Sequence, residues 1–471
     1  MVVTGSVVGV RRLLRPWVIL TVAVVLVAVA GVVLLTRAAR PATVDSGQLR
    51  DAVTPQALTA HLDALQRIAD AHGGNRAAGT AGYAASVDYV EAQLESAGYE
   101  TSRQPFSYDR TDLTRATLRR TAPTPTTYAV GRDFRPLAHS GDGSVTARVV
   151  AVDLALSGDR ATTSGCEASD FTGFPRGAIA LVQRGTCPFA TKVDYATAAG
   201  AGGVVVLNQG NGPGRMDVFA GTLGAQAGIP VVATTFELGA AWADAPGTTL
   251  ALAVEATVTR VTTENLIADT PAGRADRTVV LGAHLDSVPE GPGINDNGSG
   301  VAAVLETALA FGRLGVQPQN RVRFAFWGGE EDGLHGSEHY IARLGEEERR
   351  RTLLYLNLDM IGSPTPAASV YGGGEPGSGW PDGSGNVQAV LAGFLASQGV
   401  TPGTVTFRAS DHASFLAAGI AAGGLFTGAD EDADPCYHRA CDRTGDIDPA
   451  MLGLMADAAA HATLVFAQST P

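Results

Sequence analysis

The chain has 471 residues, of which 45% are hydrophobic and only 17% charged, with 58 Gly and 24 Pro. This length is too great for one compact core, so two domains are expected. The formal net charge of −13 at pH 7 argues against nucleic acid as a partner, because phosphate binding needs clustered Lys and Arg.

An uncharged apolar run extends from Trp17 to Leu35 and is preceded by Arg11, Arg12 and Arg15. Its length is close to the ~20 residues that a bilayer-spanning helix needs. A cleavable signal peptide has a shorter apolar core, and TRAARPA, which follows the run, is a poor match to a cleavage site. We therefore predict a membrane anchor with the arginines inside and the bulk of the chain exported. A removed signal peptide, and thus a secreted protein, is the alternative.

Residues 1–45 are assigned to this anchor or signal segment and its linker, and the linker composition continues to residue 52. Thr54 and Pro55 then begin an amphipathic helix as its cap and its first helical residue. His61 on that helix is expected to be solvated, and a strand through Phe106 follows.

The segment TAPTPTT (121–127) marks a change in composition and predicts a domain boundary. From there to about Val258, short Val- and Ala-rich strands alternate with Gly-rich turns, and this stretch contains no carboxylate–His cluster. The pattern predicts a β-rich inserted domain over residues 126–258, which divides an α/β domain into residues 50–125 and 259–471.

The chain contains four cysteines: Cys166, Cys187, Cys436 and Cys441. None lies in a CxxC pair, so a Cys-rich zinc site is not expected. An even number of cysteines in an exported chain suggests two disulfides.

Groups that can bind a metal follow several apolar runs of the α/β domain. They lie in VVLGAHLDSVPEGPGINDNGSG (279–300), RVRFAFWGGEEDGLHGS (321–337), LLYLNLDMIG (353–362) and DPCYHRACD (434–442). In open α/β sheets the ligand crevice lies beyond the carboxyl ends of the strands. The candidate ligands are two imidazoles and three carboxylates: His284, Asp296, Glu331, Asp359 and His438.

Imidazole and carboxylate ligands together suit Zn²⁺. If one carboxylate is shared, five ligands can hold two metals about 3.5–4 Å apart, as in two-metal hydrolases. Asp296 is the candidate for sharing, because its Gly-rich loop allows a close approach of the backbone. Glu330 remains as a general base for a water. Asp286 is predicted to accept the other N–H of His284.

His335 and His339 lie at helical spacing after this cluster, but no HExxH motif is present. The five-ligand set is complete without them. We expect both on the surface.

The motifs HLDS, GINDNGSG, WGGEE, LNLDMIG, SDHASF and CYHRACD together resemble the M28 family of dizinc exopeptidases, and in particular its secreted bacterial aminopeptidases. The resemblance covers roughly residues 50–120 and 260–467. It implies a phosphorylase/hydrolase-like α/β fold with a mixed central sheet flanked by helices, and two Zn²⁺ per chain. It assigns the five candidate ligands to zinc with Asp296 bridging, and it implies a cis peptide after that residue. Glu330 takes the role of general base, and Tyr437 that of hydrogen-bond donor to the substrate carbonyl.

The segment from Cys166 to Gly210 is similar to a protease-associated (PA) domain. This resemblance implies a Cys166–Cys187 disulfide and a lid or substrate-access module without catalytic residues. The second expected disulfide is Cys436–Cys441, which would close a short loop around Tyr437 and His438.

These features predict an exported aminopeptidase that acts on the N-termini of peptides or proteins, and the resemblance implies a large hydrophobic first residue. The sequence does not determine the oligomeric state, and a monomer is favoured. The alternative enzymes are a carboxypeptidase and a one-zinc glutaminyl cyclase of the same superfamily. The alternative that is not an enzyme is a receptor-like binding protein without catalysis. Close relatives in the family read Gly-Arg-Ser-Asp-His where this chain has Arg408 through His412. This shift leaves the side-chain preference open. We interpret Asp411 and His412 as support for the substrate pocket rather than as ligands.

Overall fold

The computed structural model describes residues 1, 5, 44–212, 214–224, 226–374, 379–406, 409–429 and 433–470. The predicted anchor over 17–35 and Arg408 lie outside these residues.

The strands of the described chain form one mixed sheet. Their bounds are β1 Thr101–Ala122, β2 Thr126–Thr127, β3 Phe134–Pro136, β4 Gly143–Ala151, β5 Ile179–Gln183, β6 Gly203–Leu207, β7 Val231–Thr234, β8 Thr249–Asp269, β9 Arg274–His284, β10 Asn320–Trp327, β11 Thr352–Leu358, β12 Ser369–Tyr371, β13 Gly403–Val405 and β14 Ala422–Phe426. Their order is β13-β12-β14-β11-β9-β10-β8-β4-β5-β6-β7-β3, and β1 pairs with β8 and β2.

Helices pack on the sheet both in the α/β domain and in the predicted insert. Their bounds are α1 Ser46–Ala52, α2 Pro55–Ala71, α3 Ala81–Ser96, α4 Phe189–Ala198, α5 Phe236–Asp244, α6 Gly300–Leu314, α7 His335–Arg343, α8 Glu346–Arg351, α9 Ser384–Ser397, α10 His412–Ala417 and α11 Pro449–Ala467.

Strand β9 is the centre of the α/β domain and runs parallel to β10 and β11. Its last seven residues are all buried, as expected for a parallel strand that is covered on both faces. His284 at its end is in register with Trp327 at the end of β10. Because parallel strands end at the same edge of a sheet, the residues that follow β9, β10 and β11 meet there.

Helices α6 and α11 complete the main core against this sheet. Helix α11 is long and apolar enough to cross a membrane. More than half of its most apolar part is buried inside the protein, where it packs against α1, α6 and α9. It is therefore a core helix.

Strands β1 and β8 form a long antiparallel ribbon that joins the two parts of the molecule. The ribbon runs from the Thr101–Ala268 pair to the Ala122–Thr249 pair. At one end β8 pairs with β10, and at the other end it pairs with β4. Strands β4 to β7 of the insert are parallel and lie beside α4 and α5. The inserted part is thus joined to the α/β domain by a continuous sheet, and it contains helices as well as strands.

Two expectations from the sequence are wrong. The end of the predicted linker forms α1, which Asp45 and Gln48 cap reciprocally and whose Leu49 is fully buried. His61 is buried rather than solvated, with its ring nitrogens 2.7 Å from the Tyr89 hydroxyl and 3.1 Å from a Glu306 carboxylate oxygen. In both cases residues distant in sequence bury the side chain, and the local sequence pattern gives no information about them.

Candidate metal centre

The first group of candidate ligands surrounds His284 at the end of β9. Its Nε2 atom lies 3.3 Å from Oδ1 of Asp296 and 3.4 Å from Oδ1 of Asp359. All three side chains are buried. Asp359 directly follows β11, so the parallel pairing of β9 and β11 brings the two strand ends together.

The second group surrounds His438, which lies in the loop between Cys436 and Cys441. Its Nε2 atom lies 3.1 Å from Oδ2 of Asp296 and 3.0 Å from Oε2 of Glu331. Asp296 therefore presents one carboxylate oxygen to each histidine.

The donor set and its spacing fit zinc. Two ligands held by one tetrahedral zinc at about 2.0–2.1 Å are roughly 3.3 Å apart, which matches the 3.0–3.4 Å between the paired donor atoms. In addition, Oε1 of Glu331 and Oδ1 of Asp359 are buried without a hydrogen-bond partner. Buried polar atoms normally have partners, so a cation would satisfy these two.

The electrostatics of the protein alone also favour a cation here. Burial and the charge of Asp296 together raise the pKa of Glu331 to about 8, although His438 opposes the shift. Burial likewise raises the pKa of Glu330 well above its usual range, with added repulsion from Asp411 and Asp359. The carboxylates therefore hold protons unless positive charge is supplied.

Asp286 lies beside His284 but makes different contacts from those predicted. The Nδ1 atom of His284 is 3.1 Å from the backbone oxygen of Asp286, whereas the nearer carboxylate oxygen is 3.8 Å away. That carboxylate instead accepts the backbone N–H groups of Glu330 (3.2 Å) and Glu331 (3.3 Å). The predicted carboxylate–imidazole bond is thus replaced by a carbonyl contact, and the side chain of Asp286 holds the turn of the two glutamates.

The loop that carries Asp296 is fixed by residues that the sequence did not single out. Asp442 accepts the backbone N–H of Asn295 at 2.6 Å and that of Asp296 at 3.0 Å. The peptide between Asp296 and Asn297 is cis, and the Asn297 amide donates to the Leu358 carbonyl at 2.8 Å.

Arg76 is the second unpredicted support of this loop. It is fully buried and donates to the backbone oxygens of Leu285, Pro292 and Gly293. Burial lowers its pKa to about 10, against the opposing effect of Asp442 and other carboxylates. Arg76 therefore remains charged at neutral pH. Its position in the Gly-rich segment 74–83 gave no sign of burial.

Tyr437 stands at the edge of the site, with its ring centroid 3.8 Å from that of His438 and 37% of its surface exposed. Partial burial raises its pKa, and the charges of Asp296 and Glu331 raise it further. The phenol therefore keeps its proton and is available as a hydrogen-bond donor.

The ligands open into a cavity of about 170 Å³. Its lining includes the acidic residues Glu330, Glu331 and Asp359 and the apolar residues Met360 and Phe426. The cavity therefore offers both negative charge and apolar surface.

The profile of peptidase family M28 matches residues 265–463, and that of the PA domain matches residues 145–242. An aminopeptidase of Pseudomonas aeruginosa is 44% identical over 432 residues, which cover 87% of this chain and 80% of that protein. The chain belongs to peptidase family M28. A probable lipoprotein aminopeptidase of Mycobacterium tuberculosis is 37% identical to this M28 peptidase over 461 residues, covering 89% of the chain and 86% of the relative.

Solved structures agree with this assignment. An aminopeptidase from Aneurinibacillus sp. strain AM-1 matches with a TM-score of 0.74 and 28% identity, covering 90% of this chain and 97% of that one. A zinc aminopeptidase from Bacillus subtilis matches with a TM-score of 0.59 and 26% identity, covering 88% and 96%. The predicted mixed α/β fold and the M28 metallo-aminopeptidase with a PA domain are confirmed, and zinc is its metal. Both expected disulfides, Cys166–Cys187 and Cys436–Cys441, are present.

Proposed function

We propose that this M28 peptidase is an exported dizinc aminopeptidase that removes large hydrophobic residues from the N-termini of peptides. The observation that carries the proposal is the sharing of Asp296, whose two oxygens face two separate histidines. His284, Asp296 and Asp359 would hold one zinc, and His438, Asp296 and Glu331 the other. Zinc bound there would polarise the scissile carbonyl and lower the pKa of a water towards about 7.

Glu330 lies at this site without being needed as a ligand. One of its carboxylate oxygens is 4.0 Å from the nearest ring nitrogen of His284, and burial raises its pKa, which favours a group that takes up a proton and returns it. It would take the proton of the attacking water and deliver it to the leaving amine. The hydroxyl of Tyr437 would donate a hydrogen bond to the carbonyl oxygen as negative charge develops there.

The charge of the cavity favours removal of the N-terminal rather than the C-terminal residue of a peptide. A free α-ammonium group would be complemented by the carboxylates that line the cavity, of which Glu330 is not a zinc ligand, whereas the described lining offers no Arg or Lys for the terminal carboxylate of a carboxypeptidase substrate. The side chain of the first residue would lie against Met360 and Phe426.

Leucine p-nitroanilide tests this proposal. We expect hydrolysis that stops when the amine is acetylated or zinc is chelated, and that returns with added zinc at two ions per chain. Turnover of the acetylated compound, or release of C-terminal residues from N-blocked peptides, would contradict the aminopeptidase assignment.

We also propose that the peptidase domain comprises residues 50–125 and 259–471, and the PA domain residues 126–258. The two matching profiles lie within these limits. Export is supported by the apolar run over 17–35, by two disulfides and by the relative named as a lipoprotein. Detergent-dependent release from membranes would support an uncleaved anchor, and a mature protein that begins after this run would contradict it.

A further inference from the structure

The turn that carries Glu330 and Glu331 connects β10 to α7 and is supported from inside by Asp286. The carbonyl of Glu330 accepts the N–H groups of Gly333 at 2.8 Å and Leu334 at 2.9 Å. Each glutamate also donates its own N–H to Asp286. These contacts close the turn on itself and bind its amides to Asp286.

The outer side of the turn contacts Tyr108 of strand β1. Its hydroxyl donates to the carboxylate of Asp332, the residue directly after Glu331. Its ring stacks on His335 at a centroid distance of 3.9 Å and an angle of 24°. A Cβ atom at Gly329 would lie 2.9 Å from the tyrosine ring. Tyr108 is only 8% exposed, so it is packed into the outer face of the turn.

We propose that Tyr108 is a positioning residue for the general base, acting through Asp332; this rests on the proposed function of Glu330. Asp286 fixes the amides of the turn from inside, and Tyr108 fixes the carboxylate of Asp332 from outside. Without the tyrosine hydroxyl, Asp332 retains Arg110, whose guanidinium is 3.9 Å away. The turn would then shift or rotate more freely.

The β1–β8 ribbon connects this contact to the insert. Tyr108 lies on β1, opposite Val261 of β8; β1 leads to the insert, and β8 begins within it. The strand that attaches the insert is therefore also the strand that supports the turn of Glu330. The positioning of the base and the attachment of the insert depend on the same ribbon.

The test is a double-mutant cycle of Tyr108→Phe and Asp332→Ala in the full chain. For leucine p-nitroanilide we expect Tyr108→Phe to lower kcat by about tenfold with KM within about twofold, because small misplacements of a catalytic group are costly. Adding Tyr108→Phe to Asp332→Ala should lower kcat by less than about twofold, because the two side chains act through one contact.

Tyr99→Phe is the matched control. Its hydroxyl also makes a buried bond, to the Ala308 carbonyl at 2.7 Å, but lies away from the turn. It should leave kcat within about twofold of the parent. Bound zinc and the unfolding temperature of each variant show whether the site and the fold are intact.

Amide hydrogen exchange over residues 327–335 gives a readout that does not depend on activity. Tyr108→Phe should accelerate exchange there, and Tyr99→Phe should not. Unchanged exchange, or additive losses of kcat in the cycle, would overturn the proposal. Accelerated exchange in a protein whose parent form hydrolyses no peptide would instead overturn the proposed function and support the placement of the turn by Tyr108.

Discussion

Glu330 and Glu331 are neighbours in sequence with different surroundings. Glu331 lies 3.0 Å from His438, whereas Glu330 is 4.0 Å from the nearest imidazole nitrogen. We predict that Glu330→Ala lowers turnover by about 10²–10⁴, the usual contribution of a general base, while close to two zincs remain bound. Glu331→Ala should lose zinc as well. Zinc content, measured together with steady-state kinetics, distinguishes the role of general base from that of zinc ligand. Clear zinc loss in Glu330→Ala would show that the roles are reversed.

At the residue scale the sequence predicted which side chains meet, but not all of their contacts. His284 and Asp359 follow buried parallel strands, so their meeting can be predicted from the strand pattern alone. Asp286 is two residues from His284, and this spacing does not distinguish its carboxylate from its backbone carbonyl as the partner of the ring. Buried supports such as Arg76 and Asp442 depend on the path of loops distant in sequence.

At the scale of elements, the loop from Cys436 to Cys441 holds Tyr437 and His438. His438 has a φ of 57°, which is uncommon for a residue other than glycine, so this loop needs a constraint to hold it. We predict that a Cys436→Ser/Cys441→Ser variant loses at least tenfold in kcat with little change in unfolding temperature. The matched control is Cys166→Ser/Cys187→Ser, whose disulfide lies in the insert. Equal losses of kcat in the two variants, or a fully active loop variant, would contradict this.

The ribbon of β1 and β8 shows which element could not be predicted. A strand near Phe106 was expected, but its extension to Ala122 was not. Its residues carry many charged and polar side chains, and most are exposed or half-buried. The partner strand lies more than a hundred residues away, and cross-strand pairing rather than a local apolar pattern stabilises such a ribbon. The short parallel strands of the core, in contrast, were clear from their apolar runs.

At the scale of the whole molecule, the chain has a net charge of −13 and buries several carboxylates in its interior. Burial raises the pKa of Asp286 to about 6 and that of Asp411 to about 7. It also raises the pKa of Asp442 to about 7. With Glu331 at about 8, these groups are protonated in the metal-free folded state at a pH where the unfolded chain, with carboxylate pKa values of about 4, is ionised.

The sign of the resulting pH dependence follows from these shifts. Because the folded-state pKa values are raised, the associated stability is present below pH ~4 and is lost as pH rises through 6–8. The pKa of His438 rises to about 11 because its contacts with Asp296 and Glu331 outweigh burial. This group therefore also lowers the stability of the metal-free protein as pH rises above ~6.5. Zinc needs deprotonated ligands, so its affinity increases over the same range.

We therefore predict that the difference in unfolding temperature between the zinc-loaded and chelated protein widens as pH increases from 5.5 to 8. Thermal unfolding at several pH values, with zinc or with chelator, measures it directly. Glu331→Ala is the matched control, because it removes both a ligand and the carboxylate with the pKa of about 8, and its difference should be smaller and should widen less. A difference that stays constant or narrows with pH would show that metal binding does not relieve the buried negative charge, and thus that these carboxylates are not the groups that zinc neutralises.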